Sequence, residues 1–264
     1  MERRNFAQVL KDVKVDIKRE YQRIYSMFNY SSEHSYSFRE VCCKNFDCLP
    51  FKGTCISLDD FDDFYGFHFV EFPHKFNVNH LVIYCEYIYN LAKYNTSFPF
   101  CCAYTGIDFI TQIDKVIELI GYMKMIEEEV TIFVPKSQPA IIVSEMLPPD
   151  LSYKIIEYNH HSMNGDLERK CAILKLLADQ LESRKDELKG INKQLKDDLF
   201  YMFNNISIRH NNAEKIKDIS ESKLEEWYDY AYELSLLAFL TLENSNHKQF
   251  VLDIKREVGD IQDH

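Results

Sequence analysis

Apolar residues recur at steps of three and four along most of the C-terminal part of this chain. The pattern covers residues 167–188, 191–209 and 221–243, and it places the apolar side chains of each segment on one face of an α-helix. A helix with one apolar face is stable in water only when that face is packed against another element. The sequence therefore predicts a helical bundle as the C-terminal domain, over residues 159–264.

The ends of these helices also carry sequence signals. Asp166 or Asn164 is a suitable N-cap for the first helix, and Ser220 is a suitable N-cap for the last. Gly190 is expected to bend or end the first helix. The residues from Ser245 onward are more polar and predict a weakly structured tail.

The N-terminal region, residues 1–158, mixes helical and strand patterns. Residues 6–28 predict one long amphipathic helix with a narrow apolar seam, which needs a partner helix. Residues 79–95 and 108–123 predict two further helices with aligned apolar side chains.

After these helices, the spacing of apolar residues changes from a helical to a strand pattern. Residues 129–134 and 140–143 are β-branched runs, and a segment with Pro135 and Pro139 separates them. Prolines at a turn or at a strand end cost no ladder hydrogen bond, so the pattern predicts a small β-hairpin. The expected fold class is mainly α (α+β), with a mixed N-terminal region and a C-terminal helical bundle.

Charge and motifs exclude several classes of protein. A net charge of −11 over 264 residues argues against a protein that coats DNA generally, because attraction to polyphosphate needs positive potential. The apolar runs are too short to span a bilayer, and the first residues lead into a charged helical pattern. We therefore expect a cytoplasmic protein with no membrane partner. Glycine-rich phosphate loops are absent from the sequence, so we expect no nucleotide cofactor.

The eight cysteines form no Cys-x-x-Cys pair, and adjacent cysteines bind one metal poorly. Reduced thiols packed as small apolar side chains are the favoured interpretation, with no metal site and no cofactor. The alternative is a zinc site formed by Cys43, Cys48, Cys55 and His74.

A cluster of polar residues lies at and beyond the end of the second C-terminal helix. Its members are Asn204, Asn205, Arg209, His210, Asn211 and Asn212, with Lys215 and Lys217 beyond them. One interpretation is a helix end, in which Asn211 or Asn212 takes the left-handed position and the cations complement the helix dipole. The other interpretation is a functional site, because cap chemistry accounts for one Asn and one cation but not for the whole group.

The order of an amphipathic helix, an Arg-polar motif, a short polar loop and a last apolar helix resembles the HEPN superfamily. These are small helical domains of ribonucleases in toxin, CRISPR and phage-exclusion systems. The family motif is an Arg, then a polar residue, then a His four to six residues after the Arg. Arg209 and His210 match the first two positions, whereas residues 213–215 contain no His. The resemblance covers residues 166–244.

The resemblance implies an RNA-binding protein or a metal-independent endoribonuclease of a defence system similar to abortive infection. Two protomers would pair and bring their motifs into one cleft. His210 would carry protons to or from the ribose 2′-hydroxyl or the leaving oxygen, and Arg209 would neutralise charge on the phosphate. The other residues of the cluster that are expected to contact RNA are Asn205, Asn211, Asn212 and Lys215.

The rival interpretation is a non-catalytic helical scaffold that forms dimers. Under this interpretation the Arg209 cluster caps a helix, and the N-terminal apolar seam pairs with another chain. The apolar stripe over residues 227–242 predicts a homodimer through the C-terminal helices.

Two further features have an unremarkable explanation. Tyr158, His160 and His161 have no Cys or carboxylate at a usable spacing, so exposed loop histidines are expected. Four lysines at steps of four, four and three could follow a phosphate backbone if their helix is continuous, but interspersed carboxylates favour a solvated face. They are Lys185, Lys189, Lys193 and Lys196.

Overall fold

A computed structural model describes residues 16–33, 35–96, 102–209 and 219–262. The protein is mainly α-helical with a two-stranded antiparallel sheet, which confirms the predicted fold class. By packing, the chain divides into two compact units, residues 1–135 and 136–264. Among the described residues, no helix is both long enough and apolar enough to cross a membrane.

The N-terminal unit is built around one helix whose side chains are buried on most of its faces. Its elements are α1 (Ile17–Asn29), α2 (Phe38–Lys44), α3 (Leu58–Tyr65), α4 (Val78–Lys93), α5 (Gly106–Leu119), β1 (Tyr122–Glu127) and β2 (Val130–Pro135). Helix α4 is the central one, and α1, α5 and β2 pack against it. The predicted seam of the first helix is confirmed from residue 17, where α1 buries Tyr21, Ile24 and Phe28. Residues 6–15 of that predicted helix lie outside the described residues.

The β-hairpin lies earlier in the chain than predicted. Strand β2 pairs with β1, with Glu127 opposite Val130, so the turn is at residues 128–129. The predicted second strand, residues 140–143, is helical instead. Ser137 caps this helix through its side chain and Pro139 lies in its first turn, where a missing N–H costs nothing. Packing of Ala140 and Val143 at helical spacing overrides the strand propensity of Ile141, Ile142 and Val143.

The C-terminal unit is a helical bundle, as predicted. Its helices are α6 (Gln138–Glu145), α7 (Pro149–Glu157), α8 (Leu167–Glu182), α9 (Lys185–Ile191), α10 (Lys193–Asn205) and α11 (Glu221–Gln262). Packing divides the chain at residue 136, earlier than the boundary at 159 expected from composition, because Val143 and Ile155 belong to the C-terminal core. The caps at Asp166 and Ser220 are confirmed, since each side chain accepts a backbone N–H three residues later.

Two predicted helix boundaries were wrong. The chain breaks after Glu182 and again at Asn192, which caps α10, whereas Gly190 lies inside α9. The predicted polar tail after Ser245 is helical, because α11 continues to Gln262.

The break at Asn192 also divides the four lysines, so they do not form one continuous helical face. Lys185 is 3.3 Å from Glu182 and Lys196 is 2.8 Å from Asp197. These pairs agree with a solvated, charge-balanced surface.

Candidate functional site

The predicted polar cluster begins just beyond the end of α10. The helix ends at Asn205 rather than at Arg209, and Ile206 is its C-cap. The left-handed residue that follows is Ser207, with φ of 63°, whereas the sequence predicted Asn211 or Asn212 in that role. His210, Asn211, Asn212 and Lys215 lie outside the described residues.

Arg209 is engaged within the C-terminal unit. Its guanidinium lies 2.5 Å from a carboxylate oxygen of Glu182, at the end of α8. Its backbone N–H donates to the carbonyl of Phe203 at 3.0 Å. The side chain therefore ties the segment after α10 to the end of α8, which favours a structural role for Arg209 at this helix end.

Ser207 shows both backbone strain and an unsatisfied hydroxyl. A positive φ is uncommon for a residue with a Cβ, and it costs free energy that the surrounding packing must offset. The Oγ of Ser207 is buried and has no hydrogen-bond partner among the described residues. Backbone strain and buried unsatisfied groups are concentrated at functional sites, so the segment after α10 stays a candidate site.

Asn205 lies at the rim of a groove between α10 and α11. Its side-chain amide donates to the carbonyl of Tyr201 at 2.7 Å. The groove has a volume of about 640 Å³. We call it the α10–α11 groove, and it is lined by Tyr201, Met202, Asn205, Ile206, Ile219, Trp227 and Tyr230.

The groove presents aromatic side chains to solvent. Tyr201 is 68% exposed and Tyr230 is 56% exposed, and Trp227 is half-buried against the core. Ile206 and Ile219, which also line the groove, flank in sequence the residues that include His210 and Lys215. The groove thus contains Asn205, and its lining residues Ile206 and Ile219 lie on either side, in sequence, of the other predicted RNA-binding residues.

Sequence reasoning missed a second polar site in the same unit, centred on a buried lysine. Lys170 of α8 is 3% exposed. Its ammonium lies 2.8 Å from Glu225 and 2.7 Å from Asp229, both on α11. The hydroxyl of Tyr158 donates to Asp229 at 3.0 Å, and the ring of Tyr158 stacks on that of Tyr232 with centroids 4.0 Å apart. We call Lys170, Glu225, Asp229 and Tyr158 the Lys170 cluster.

The environment of the Lys170 cluster shifts its acid–base equilibria. A backbone N–H from Gly165 and then the Lys170 ammonium lower the pKa of Glu225. Burial, followed by the charge of Asp229, raises the pKa of Tyr158 well above its usual value. The cluster borders a cavity of about 510 Å³ that is lined by α11, the start of α6 and the segment after α7, with Lys170 as its lining residue from α8. The Lys170 ammonium of α8 pairs with two carboxylates of α11, so the main effect of the cluster is to join the two helices.

A signal for this cluster was present in the sequence. Lys170 precedes Leu174, Leu177 and Leu181 at steps of four, three and four, so it lies on the apolar face of α8. A buried cation in that position needs carboxylates within ion-pair distance. Glu225 and Asp229 are four residues apart on the next long helix and can supply them.

The histidines after α7 differ from the expectation of exposed loop residues. His160 is buried, and its Nδ1 lies 2.8 Å from the hydroxyl of Ser162. His161 packs against it with ring centroids 4.0 Å apart. His160 precedes a short 3₁₀ turn, His161–Met163, and caps it by accepting the backbone N–H of Ser162.

The cysteines of the described residues are free thiols. Within the described part of the chain, Cys43, Cys48, Cys55 and His74 do not gather into a metal-ligand cluster. The zinc alternative therefore has no geometric support.

Searches against protein-family models, curated proteins and solved structures find no match to this chain.

Proposed function

We propose that the C-terminal unit binds single-stranded RNA in the α10–α11 groove. The observation that carries the proposal is the exposure of Tyr201 and Tyr230 in a groove that also holds Asn205 and Trp227. Sequence-tolerant RNA binding combines stacking of bases on aromatic side chains with contacts to the backbone phosphates. The exposed tyrosine rings can stack with bases. The adjoining sequence supplies three cations for the phosphates, which are Arg209, Lys215 and Lys217.

The electrostatic part of the proposal depends on Arg209. In the unbound protein its guanidinium pairs with Glu182, which is itself partly exposed. A phosphate can replace this carboxylate, because the guanidinium fork matches either group. Binding of RNA would then free Glu182 to solvent, where its charge is hydrated.

Cleavage is the stronger form of the proposal. His210 would act as the proton carrier on the ribose 2′-hydroxyl, since His titrates near neutral pH, and Arg209 would stabilise charge on the phosphate. This reaction needs no metal and leaves a 2′,3′-cyclic phosphate. It is supported by the residue types and by the HEPN resemblance.

The test of binding is fluorescence anisotropy with a labelled single-stranded RNA and the full chain. Each of Tyr201→Ala and Tyr230→Ala should weaken binding by about tenfold, because stacking of a base on an aromatic side chain is worth roughly 1–3 kcal/mol. Tyr30→Ala is the matched control, since Tyr30 is an exposed tyrosine of the N-terminal unit. Failure of the wild type to bind, or equal losses in all three variants, would refute the proposal.

A second candidate function is a dimeric scaffold, and it is favoured by the second half of α11. The described side chains there are exposed and include Phe250, Val251, Leu252 and Ile254. In sequence, Val251, Ile254, Val258 and Ile261 follow the three–four spacing of a coiled-coil seam. The stripe over residues 227–242 is less available than predicted, because Ala231, Ala238 and Leu242 are buried in the core of their own unit.

Light scattering on the full chain tests the scaffold function. A dimer at tens of micromolar that becomes a monomer in the double variant Val251→Lys, Ile254→Lys supports pairing through α11. A wild-type monomer at that concentration would contradict it. RNA binding by a monomer would leave the first proposal standing.

A further inference from the structure

The N-terminal unit contains a cavity of about 500 Å³ that none of the functions above uses. It lies between α1, α2, α3, α4 and the segment after α3. Five aromatic side chains form much of its lining: Tyr25, Phe28, Phe67, Phe69 and Tyr87.

The aromatic side chains contact one another as well as the cavity. The ring of Tyr87 lies with its centroid 5.2 Å from that of Phe67 and 5.3 Å from that of Phe69. Phe67 and Phe69 are stacked, with centroids 6.0 Å apart and planes inclined by 11°. The rings of Phe28 and Tyr87 form an edge-to-face contact, with centroids 6.1 Å apart. Mutual packing of this kind fixes the rings and keeps the cavity preformed.

The charges around the cavity are unbalanced towards negative. Arg39 is the cation among the lining residues, and its guanidinium lies 2.9 Å from Asp62 and 2.5 Å from Asp59. A third carboxylate, Asp63, lies at the mouth and is 81% exposed. The lining thus carries three carboxylates and one guanidinium. The Nδ1 of His68 lies 4.0 Å from a carboxylate oxygen of Asp63.

The buried carboxylate is already fully engaged. One oxygen of Asp62 accepts from Arg39, and the other accepts from the hydroxyl of Tyr87 at 2.7 Å. A ligand in the cavity therefore meets aromatic side chains and an excess of carboxylates, but no vacant carboxylate fork at Asp62. These conditions suit a cation without N–H donors better than a guanidinium, which needs paired acceptors.

We propose that this cavity binds an organic ammonium ion with methylated nitrogen, of the choline or trimethyl-lysine type. The aromatic rings attract the cation through their faces, and the excess carboxylates attract it from solution. An anion is repelled by the same carboxylates, and a neutral ligand of the same shape gains neither attraction. The contacts of Asp62 with Arg39 and Tyr87 position the ring of Tyr87 and join α2, α3 and α4.

The test is isothermal titration of the full chain with choline and with its neutral isostere 3,3-dimethylbutan-1-ol, at constant ionic strength. Choline should bind at least about tenfold more tightly than the alcohol, the scale expected for a cation over desolvated rings. Equal affinity for the two compounds would reduce the site to an apolar cavity and overturn the proposal. Absence of binding by choline would overturn it as well.

Two variants separate the ring faces from the carboxylates. Phe69→Leu keeps apolar volume but removes a ring face, and it should weaken choline binding by about tenfold. Asp63→Asn should weaken it by about two- to fivefold, because Asp63 is exposed and its attraction is screened. Asp47→Asn is the matched control, since Asp47 is an exposed carboxylate outside the cavity, and it should leave binding unchanged.

Circular dichroism verifies that each variant is folded. Tyr25→Leu replaces Phe69→Leu if the latter does not fold, since Tyr25 lines the same cavity and is only half-buried. Choline affinity unchanged in both Asp63→Asn and the ring variant would overturn the assignment of the site.

Discussion

Replacing Lys170 by Met should destabilise the C-terminal unit more than any other single change of a charged side chain in the Lys170 cluster. Met keeps most of the apolar stem but removes the ammonium that lies 2.8 Å from Glu225 and 2.7 Å from Asp229. The two carboxylates then face each other's charge without a cation. Lys170 itself is almost fully buried, so its loss is not repaired by water at that position.

The magnitude follows from the exposure of the partners. Removing one member of a fully buried ion pair costs about 3–5 kcal/mol, because an uncompensated charge is left behind. The side chains of Glu225 and Asp229 are 24% and 48% exposed, so water recovers part of their solvation. The expected loss in free energy of unfolding is therefore about 2–3 kcal/mol at neutral pH.

The assay is urea denaturation of the full chain, followed by tryptophan fluorescence. Trp227 is the single tryptophan of the sequence and lies on α11 one residue before the buried Tyr228, so it reports on the C-terminal unit. Lys175→Met is the matched control, because Lys175 is an exposed lysine of the same helix, α8. This control should change the free energy of unfolding by about 0.5 kcal/mol or less.

The pH dependence gives an independent check. The pKa of Glu225 is lowered in the folded protein, by the Gly165 N–H and then by Lys170. Stability from ionised Glu225 is therefore present above its unfolded pKa, about 4.3, and is lost as the pH falls through the lower folded value. The difference between wild type and Lys170→Met should shrink as Glu225 is protonated. A loss below about 0.5 kcal/mol at neutral pH, or a difference independent of pH, would refute the reasoning.

Three further predictions concern the candidate site and the fold. Glu182→Gln should raise affinity for single-stranded RNA about threefold by releasing Arg209, as measured by anisotropy, whereas unchanged affinity would leave Arg209 as a helix anchor alone. Purified wild type should cleave RNA but not the matching DNA in EDTA, and Arg209→Ala and His210→Ala should each lower the rate about a hundredfold; equal cleavage by both variants would point to a contaminant. Gly106→Ala should cost about 2 kcal/mol in thermal or urea denaturation, because its Cβ would lie 2.6 Å from the carbonyl of Ala92. Gly190→Ala, which meets open space inside α9, should instead stabilise slightly, and the opposite order would contradict the packing seen at Gly106.

Sequence periodicity determined most of the helices, because each helix carries its own signal of an apolar face and a cap. The long α8 and α11 are examples, with Asp166 and Ser220 accepting backbone N–H groups where their sequences predicted caps.

Tertiary structure decided the features in which local preference is weak. Residues 140–143 have strand-forming side chains, yet packing of Val143 into the C-terminal core makes them helical. Strand β1 was missed because its residues resemble a continuation of α5 until β2 provides the partner for its hydrogen bonds.

The candidate sites depend on tertiary structure even more than the helices and strands do. A sequence gives the identity of Lys170 and of Asp229, but 59 positions separate them, and only the packing of α8 against α11 brings their charges to 2.7 Å. The aromatic cavity at Tyr87 likewise depends on helices distant in sequence. Helical periodicity is a property of neighbouring residues and can be read directly from the chain, whereas a binding site depends on long-range contacts that only the folded protein makes.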